Sequence, residues 1–275
     1  MKRAFVIGHP IEHSRSPLIH GTWLKSYGIE GTYEAIDVEP EALPALFDRL
    51  RAGEFVGGNV TIPLKEQVFG LCDTVDPLAR TIGAVNSLVA ANGKVHGFNT
   101  DLMGFLGNLD QAAPGWSDGL EQAIVLGAGG AARAILVALR HRGLGKIHVL
   151  NRTRAKAQTL AAELGGPFRA GDLDDFPSLA PRAGLVVNTT SIGMHGTSFE
   201  HLPLEHLAPS AIVADIVYVP LETPLLARAR TLKLRTVDGL GMLLHQAVPG
   251  FEAWFGVKPE VTAELRAAVE ATLEH

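Results

Sequence analysis

A short glycine-rich motif is the segment of this sequence whose residue types point most directly to chemistry. The apolar residues 123–126 are followed by the pattern G-x-G-x-x-A, with Gly127, Gly129 and Ala132 at its fixed positions. After a buried strand, these residues allow a tight turn, a close approach of the backbone to a pyrophosphate, and close packing of the next helix. The amides that begin this helix then face the phosphate charge. An ordinary strand–helix turn is the alternative, but the strand and helix around the motif favour a dinucleotide site.

The residues after the second strand of this unit indicate which dinucleotide binds. An NAD site has a carboxylate about 20 residues after the glycines, where it bonds the ribose 2′-hydroxyl. This sequence instead has Asn151, Arg152, Thr153 and Arg154, and residues 122–162 contain seven basic and no acidic side chains. A guanidinium binds a 2′-phosphate through paired hydrogen bonds, and one close charge pair contributes about 4 kcal/mol at an effective dielectric of about 20, before desolvation. The sequence therefore predicts that the cofactor is NADP.

Four polar clusters lie outside this unit, at residues 14–17, 59–65, 83–86 and 97–101. The first cluster reads Ser-Arg-Ser-Pro, in which Ser16 and Pro17 suit the start of a helix. Two serines at a helix start also suit a bound carboxylate. The other clusters supply amide, hydroxyl, ammonium and carboxylate groups. Such groups can hold a polar ligand in one orientation and move one proton.

These clusters and the glycine motif occur in one order with three further motifs, which are NTTSIGM at 188–194, DIVY at 215–218 and DGLGMLLHQ at 238–246. Over nearly the whole chain the ordered set resembles the shikimate dehydrogenase family, and in particular its NADP-dependent biosynthetic branch. The resemblance implies reversible NADPH-dependent reduction of 3-dehydroshikimate to shikimate in aromatic amino acid (chorismate) biosynthesis. An enzyme that acts on quinate and a non-catalytic NADP-binding regulator are the alternatives. The presence of Lys65 and Asp101 disfavours the regulator.

The resemblance also implies roles for individual residues. Lys65 and Asp101 would form the catalytic pair, in which Lys65, protonated as lysines normally are at neutral pH, acts as the acid for carbonyl reduction. The substrate-binding residues that it implies are Ser14, Ser16 and Tyr218 near the carboxylate, and Asn59, Thr61, Asn86 and Gln246 around the ring. The cofactor-binding residues that it implies are Gly127, Ala128, Gly129, Gly130, Ala131, Asn151, Arg152, Thr153, Arg154, Ile216, Gly239 and Met242.

Two other patterns resemble a hydrolase motif and a metal site, but the surrounding sequence supports neither. Residues 115–119 match the G-x-S-x-G elbow of hydrolases, but that motif needs a strand before it and a helix after it, and here a helix and a loop precede it. The N-terminal histidines lack the spacing of metal ligands, and Pro203 between His201 and His206 disrupts a helical ligand face. We therefore predict neither a serine hydrolase nor a metal site.

The elements that must position these residues alternate between strand and helix. Strands are predicted at 3–8, 32–38, 57–61, 87–91 and 94–97, and helices at 16–27, 40–51 and 63–71. Asn92 and Gly93 predict a type I′ hairpin turn, so the first sheet is mixed. From residue 121 strands and helices alternate regularly, which predicts a parallel sheet. From residue 239 we predict two helices, with an interruption at Pro249.

The predicted fold class is α/β with two domains. A mixed-sheet α/β substrate domain is expected at residues 1–101, completed by the C-terminal helices of 239–275. A Rossmann-type parallel-sheet NADP domain is expected at 102–238, with the active site in the cleft between the domains.

Composition narrows the class of protein. The 275 residues are 47% hydrophobic and 19% charged, as in globular proteins, and the net charge of −5 gives no support for nucleic-acid binding. No apolar run is long enough to span a bilayer, and no signal peptide is predicted. A single cysteine, Cys72, excludes an intrachain disulfide and fits a reducing compartment. We expect a cytoplasmic enzyme with a small-molecule substrate and no nucleic-acid or membrane partner, and a homodimer stays open.

Overall fold

The computed structural model describes residues 1–273, which form two compact units. One unit contains Met1–Asp101 and Leu244–Val269, and the other contains Leu102–Leu243 with the described residues from 270 onward. These units are defined by packing, so the domain roles assigned to 1–101 and 102–238 stay predictions. No helix in residues 1–273 is long and apolar enough to cross a membrane.

The first unit is built on a six-stranded sheet. Its strands are β1 (Lys2–Gly8), β2 (Gly31–Asp37), β3 (Gly57–Val60), β4 (Thr74–Val75), β5 (Ser87–Ala91) and β6 (Lys94–Phe98), in the spatial order β2-β1-β3-β5-β6-β4. β1 is parallel to β2 and β3, whereas β5 is antiparallel to β3 and β6. The predicted mixed sheet is therefore confirmed. Positive φ angles at Asn92 (52°) and Gly93 (71°) also confirm the type I′ turn between β5 and β6.

The core of this unit anchors the loop that follows β3. The helices of the N-terminal segment are α1 (Ser16–Ser26), α2 (Leu43–Arg51) and α3 (Pro77–Ile82). Phe5 in β1 and Phe47 in α2 are fully buried in one apolar cluster, which also includes Leu64 and Val68. Because Leu64 and Val68 are held in the core, the loop between them has a fixed position, and Lys65 lies in this loop.

The helix predicted at 63–71 is wrong. This segment forms turns that end in a 3-10 helix at Val68–Gly70. Leu64 and Val68, four residues apart, are both buried, so the apolar spacing was that of a helix. However, the Lys65 carbonyl accepts a hydrogen bond from the Val85 amide (3.0 Å). This carbonyl is therefore used by a neighbouring segment and not by a helical hydrogen bond.

The second unit contains a six-stranded, all-parallel sheet. Its strands are β7 (Ala123–Leu126), β8 (Ile147–Leu150), β9 (Phe168–Gly171), β10 (Leu185–Asn188), β11 (Ile212–Asp215) and β12 (Arg235–Val237), in the order β12-β11-β10-β7-β8-β9. The helices that follow in the chain are α4 (Asp101–Ala112), α5 (Gly130–His141), α6 (Arg154–Leu164), α7 (Phe176–Leu179) and α8 (Pro224–Thr231). Read from β9, the strands follow the 3-2-1-4-5-6 order of Rossmann folds. The predicted Rossmann-type sheet is confirmed, and its strand order reverses between β7 and β10.

Two helices end the described chain, α9 (Leu240–Phe255) and α10 (Ala263–Glu270). The predicted interruption at Pro249 is wrong, because α9 continues through this residue and stops before Gly256, where φ is 81°. A proline inside a helix costs about 3 kcal/mol. Full burial of Phe251 and near-full burial of Trp254 on the same helix stabilises it by roughly 1.5–3 kcal/mol each, which offsets that cost.

Candidate active site

The first unit holds an ion pair between the two residues predicted to be catalytic. Lys65 follows β3 and Asp101 begins α4, and the Lys65 Nζ atom lies 2.9 Å from Asp101 Oδ2. The Lys65 side chain is 29% exposed and that of Asp101 is 12% exposed. The ammonium group is therefore partly accessible to a small molecule, while the carboxylate that holds it is largely shielded from water.

Asn86 fixes the other oxygen of this carboxylate. Its Nδ2 atom donates to Asp101 Oδ1 at 2.8 Å. Its Oδ1 atom accepts from the Thr100 amide (2.9 Å) and from the Ser87 hydroxyl (3.1 Å), so the amide cannot turn over without losing both bonds. The Asp101 amide in turn donates to Asn99 Oδ1 at 2.9 Å. Asp101 is thus held at its carboxylate and at its backbone amide. Besides Lys65, the group that sets its side-chain rotamer is the neutral amide of Asn86 and not another charged group.

Asn59 joins the same network from β3. Its Nδ2 atom donates to the Ser87 hydroxyl at 3.0 Å, and its Oδ1 atom accepts from the Tyr33 hydroxyl at 2.6 Å. Ser87 therefore connects Asn59 to Asn86, and through Asn86 to Asp101. Neither Ser87 nor Tyr33 is among the residues predicted from the sequence, although Ser87 directly follows the cluster at 83–86.

The remaining predicted substrate residues of this unit lie at three places. Ser14 and Ser16 stand at the start of α1, where the Ser16 amide donates to Ser14 Oγ at 3.3 Å. Thr61 follows β3 and Gln246 lies in α9, and both are half-buried. Within residues 1–273 neither Thr61 nor Gln246 makes a side-chain hydrogen bond to the protein, so these polar groups are available to a ligand.

The second unit contains a cavity of about 350 Å³ at the carboxyl ends of its strands. It lies where the strand order reverses, which is where Rossmann folds bind dinucleotides. Its lining residues are Leu126, Gly127, Ala128, Gly129, Leu150, Asn151, Arg152, Thr153, Lys156, Leu173, Thr190, Ser191, Ile192 and Phe199. Six predicted cofactor residues fall outside this lining, namely Gly130, Ala131, Arg154, Ile216, Gly239 and Met242, and their roles stay predictions.

The glycines of the motif leave room at the cavity. Gly127 has a φ of 112°, and a Cβ atom there would stand 2.7 Å from Thr189 Oγ1, so only glycine fits. Added Cβ atoms at Gly129 and Gly130 would instead point into open space. The N-cap residue of α5 is Gly129, which has no side chain to accept from the first amides of the helix, and no other side chain among the described residues caps them. A pyrophosphate fits this arrangement, because it would supply the missing acceptors.

Two cations at the cavity have no carboxylate partner. Arg152 and Lys156 line it, and neither forms an ion pair within the described part of the chain. Arg154 differs, because its guanidinium bonds Asp172 (2.9 Å) and Asp175 (2.7 Å). Arg154 was predicted from the sequence as a cofactor residue and Lys156 was not, although Lys156 belongs to the same basic run. The free cations fit a 2′-phosphate, as expected for NADP.

A buried carboxylate holds the loops after β10 and β11. Asp215 Oδ1 accepts from Asn188 Nδ2 (2.9 Å) and from the Val217 amide (3.0 Å), and Oδ2 accepts from the Thr223 hydroxyl (2.8 Å). Burial raises the pKa of this carboxyl to about 6, although these hydrogen bonds oppose the rise. Asn188 Nδ2 also donates to the Ile192 carbonyl at 2.8 Å. The network therefore fixes one loop that lines the cavity and the start of the loop that carries Tyr218.

Among the residues that the structure describes, no group of three histidine, cysteine or acidic side chains could hold a metal ion. The charged groups that do cluster, Lys65 with Asp101 and Arg152 with Lys156, suit proton transfer and phosphate binding respectively.

Comparison with known proteins agrees with this geometry. Family models for the shikimate dehydrogenase substrate binding domain, for shikimate / quinate 5-dehydrogenase, and for the shikimate 5'-dehydrogenase C-terminal domain match residues 6–88, 116–238 and 239–270. The chain is 55% identical to the shikimate dehydrogenase (NADP(+)) of Methylobacterium radiotolerans, over 98% of this chain and 97% of that protein.

Solved structures of related enzymes are also similar to this chain over nearly its whole length. The Thermus thermophilus shikimate 5-dehydrogenase in complex with NADP(H) and shikimate is 39% identical and has a TM-score of 0.86, over 99% of this chain and 100% of that one. The Corynebacterium glutamicum quinate dehydrogenase in complex with NAD is 31% identical with a TM-score of 0.88, over 99% of both chains. On sequence and structure together, this chain belongs to the shikimate dehydrogenase family.

Proposed function

We propose that this chain is an NADP-dependent shikimate dehydrogenase that reversibly reduces 3-dehydroshikimate to shikimate in aromatic amino acid biosynthesis. The observation that carries the proposal is the oriented ion pair of Lys65 and Asp101, whose Nζ and Oδ2 atoms lie 2.9 Å apart. A carbonyl reductase needs one group that gives a proton to the carbonyl oxygen, and a partner that holds this group in place. Lys65 and Asp101 meet these two needs.

In the reducing direction the Lys65 ammonium donates its proton to the carbonyl oxygen of 3-dehydroshikimate. NADPH supplies the hydride when it is bound. Asp101 keeps the Nζ atom oriented, and Asn86 keeps Asp101 oriented, so the proton donor needs no reorganisation during the reaction. In the oxidising direction the same pair takes up the proton that leaves the substrate hydroxyl.

Substrate binding in the proposal uses the polar groups around this pair. Ser14 and Ser16, at the start of α1, are assigned to the carboxylate, which the amides of a helix N-terminus also favour. Tyr218 is assigned to the same carboxylate. The ring hydroxyls are assigned to Asn59, Thr61, Asn86 and Gln246, together with the catalytic pair.

Cofactor choice in the proposal follows from charge. Arg152 and Lys156 are the cations that would bind the 2′-phosphate of NADP, because no carboxylate of the described chain neutralises them. Arg154 is assigned to the same region, although Asp172 and Asp175 already bind its guanidinium. NAD lacks the 2′-phosphate, so it would leave two cations without a partner.

Oxidation of shikimate with NADP⁺, followed by the absorbance of NADPH, tests the proposal. Parallel reactions with quinate and with NAD⁺ separate this function from that of the quinate dehydrogenase to which the chain is also similar. We expect the highest kcat/KM for shikimate with NADP⁺. A higher value for quinate would reassign the substrate, and NADP binding without turnover of either acid would indicate a regulator. Light scattering of the same preparation tests for a homodimer.

A further inference from the structure

Tyr33 contacts one of the proposed substrate residues, Asn59, and has no assigned role. It is in β2, and its hydroxyl donates a 2.6 Å hydrogen bond to Asn59 Oδ1 in β3. Burial raises the pKa of this phenol well above its ordinary value, and the neighbouring Ser16 hydroxyl offsets part of the rise. Tyr33 is therefore a neutral hydrogen-bond donor at every pH at which the enzyme would work.

The ring of Tyr33 is held by an aromatic cluster. It stacks on His20 of α1, with ring centroids 4.0 Å apart and an interplanar angle of 14°. Trp254 of α9 lies against it at 5.9 Å, and His20 also contacts Trp23 and Phe251. His20 is fully buried, and burial lowers its pKa to about 3, so the stack carries no charge. With its ring fixed on both sides, Tyr33 presents its hydroxyl in one place.

This hydroxyl decides which hydrogen bond Asn59 can offer. The two hydrogens of the Asn59 amide are used inside the protein, by the Ser87 hydroxyl at 3.0 Å and the Asn86 carbonyl at 3.4 Å. Its oxygen has two lone pairs, and Tyr33 occupies one of them. The buried His20 ring also lies near the Asn59 side chain, but neither of its nitrogens makes a hydrogen bond among the described residues, so one acceptor position remains. Asn59 is half-buried, so part of this residue is exposed to a bound molecule.

We propose that Tyr33 is a positioning residue, whose hydroxyl locks the Asn59 amide so that it presents only an acceptor to the substrate. Asn59 then receives a hydrogen bond from a ring hydroxyl, and it disfavours a carbonyl or ether oxygen at the same place. This inference rests on the proposed function for the identity of the substrate. The orientation of Asn59 itself rests only on contacts within the first unit.

The test is the variant Tyr33→Phe, which removes the hydroxyl and keeps the ring on His20. One neutral hydrogen bond corresponds to a change of roughly 2-fold to 12-fold in an equilibrium constant. We expect the KM for shikimate to rise by about five-fold, with kcat and the KM for NADP⁺ close to those of the wild type. KM does not depend on the amount of active enzyme, so partial loss of folded protein cannot imitate this result.

Tyr27→Phe is the matched control, because the Tyr27 hydroxyl accepts a bond only from the Glu260 amide among the described residues (3.1 Å). We expect its KM for shikimate to equal that of the wild type. An unchanged KM in Tyr33→Phe, or equal rises in both variants, would overturn the inference. Failure of the wild-type enzyme to oxidise shikimate would instead overturn the proposed function, so the two failures are distinguishable.

Two further comparisons separate positioning from a general structural role. If Tyr33 acts through Asn59, the double variant Tyr33→Phe/Asn59→Ala should have the KM of Asn59→Ala alone, whereas independent effects would multiply. Shikimate analogues that each lack one ring hydroxyl give the second comparison. The effect of Tyr33→Phe should disappear for the analogue that lacks the hydroxyl bound by Asn59. An equal effect for every analogue would contradict the inference.

Discussion

Replacing Asp215 with asparagine should change how the stability of the second unit depends on pH. Asp215 is 2% exposed, and burial raises its pKa from 3.8 to about 6. A shift of about two units corresponds to about 3 kcal/mol, by which the folded state favours the protonated carboxyl. For a raised pKa, this contribution is complete below the unfolded value and is lost as the pH rises through about 6. At neutral pH the buried Asp215 carboxylate therefore lowers the free energy of unfolding by about 3 kcal/mol. The Asp215→Asn variant has no carboxylate here and avoids this loss.

Urea unfolding of the wild type and of Asp215→Asn, at several values between pH 4 and pH 8, measures this term. In the difference between the two free energies of unfolding, the contributions of the other titrating groups cancel. We expect it to move by about 2.5 kcal/mol in favour of the variant as the pH rises across this range. Asp174→Asn, at an exposed carboxylate, is the control and should give a nearly constant difference. A constant difference for Asp215→Asn as well would refute the argument from burial.

Four other variants test the site. Arg152→Ala and Lys156→Ala should each raise the Kd for NADP⁺ at least ten-fold and change that for NAD⁺ little, since only NADP⁺ carries the 2′-phosphate; equal losses in calorimetric titrations with the two cofactors would contradict this. Lys65→Ala should lower kcat by roughly 10²–10⁴-fold, because the proton donor is gone; near-normal turnover with only a raised KM would make Lys65 a binding residue. Gly127→Ala should lower the free energy of unfolding by about 1–3 kcal/mol and weaken cofactor binding, because its φ is 112° and its Cβ would meet Thr189; urea unfolding with stability equal to the wild type would disprove the strain.

Local sequence patterns predicted much of the fold. The glycine motif after an apolar run predicted the strand–turn–helix at β7 and α5, because its steric requirements are met within a few residues. Asn92-Gly93 predicted the hairpin turn for the same reason. By contrast, the predicted helix at 63–71 and the predicted break at Pro249 were both wrong. In each case the outcome was decided by contacts with other segments, the Val85 amide in the first and the packing of Phe251 and Trp254 of α9 against His20 of α1 in the second.

At the candidate site, the sequence by itself determined which chemical groups are present: a lysine, several carboxylates and amides, and a basic run beside the glycines. Only the tertiary structure decided which of these groups are paired. It joins Lys65 to Asp101 across 36 positions of the chain, and Tyr33 to Asn59 across 26. It also occupies Arg154 with carboxylates and leaves Lys156 facing the cavity. Residue type and spacing fix the chemistry a side chain can perform, but its hydrogen bonds and charge partners come from segments that only folding brings together.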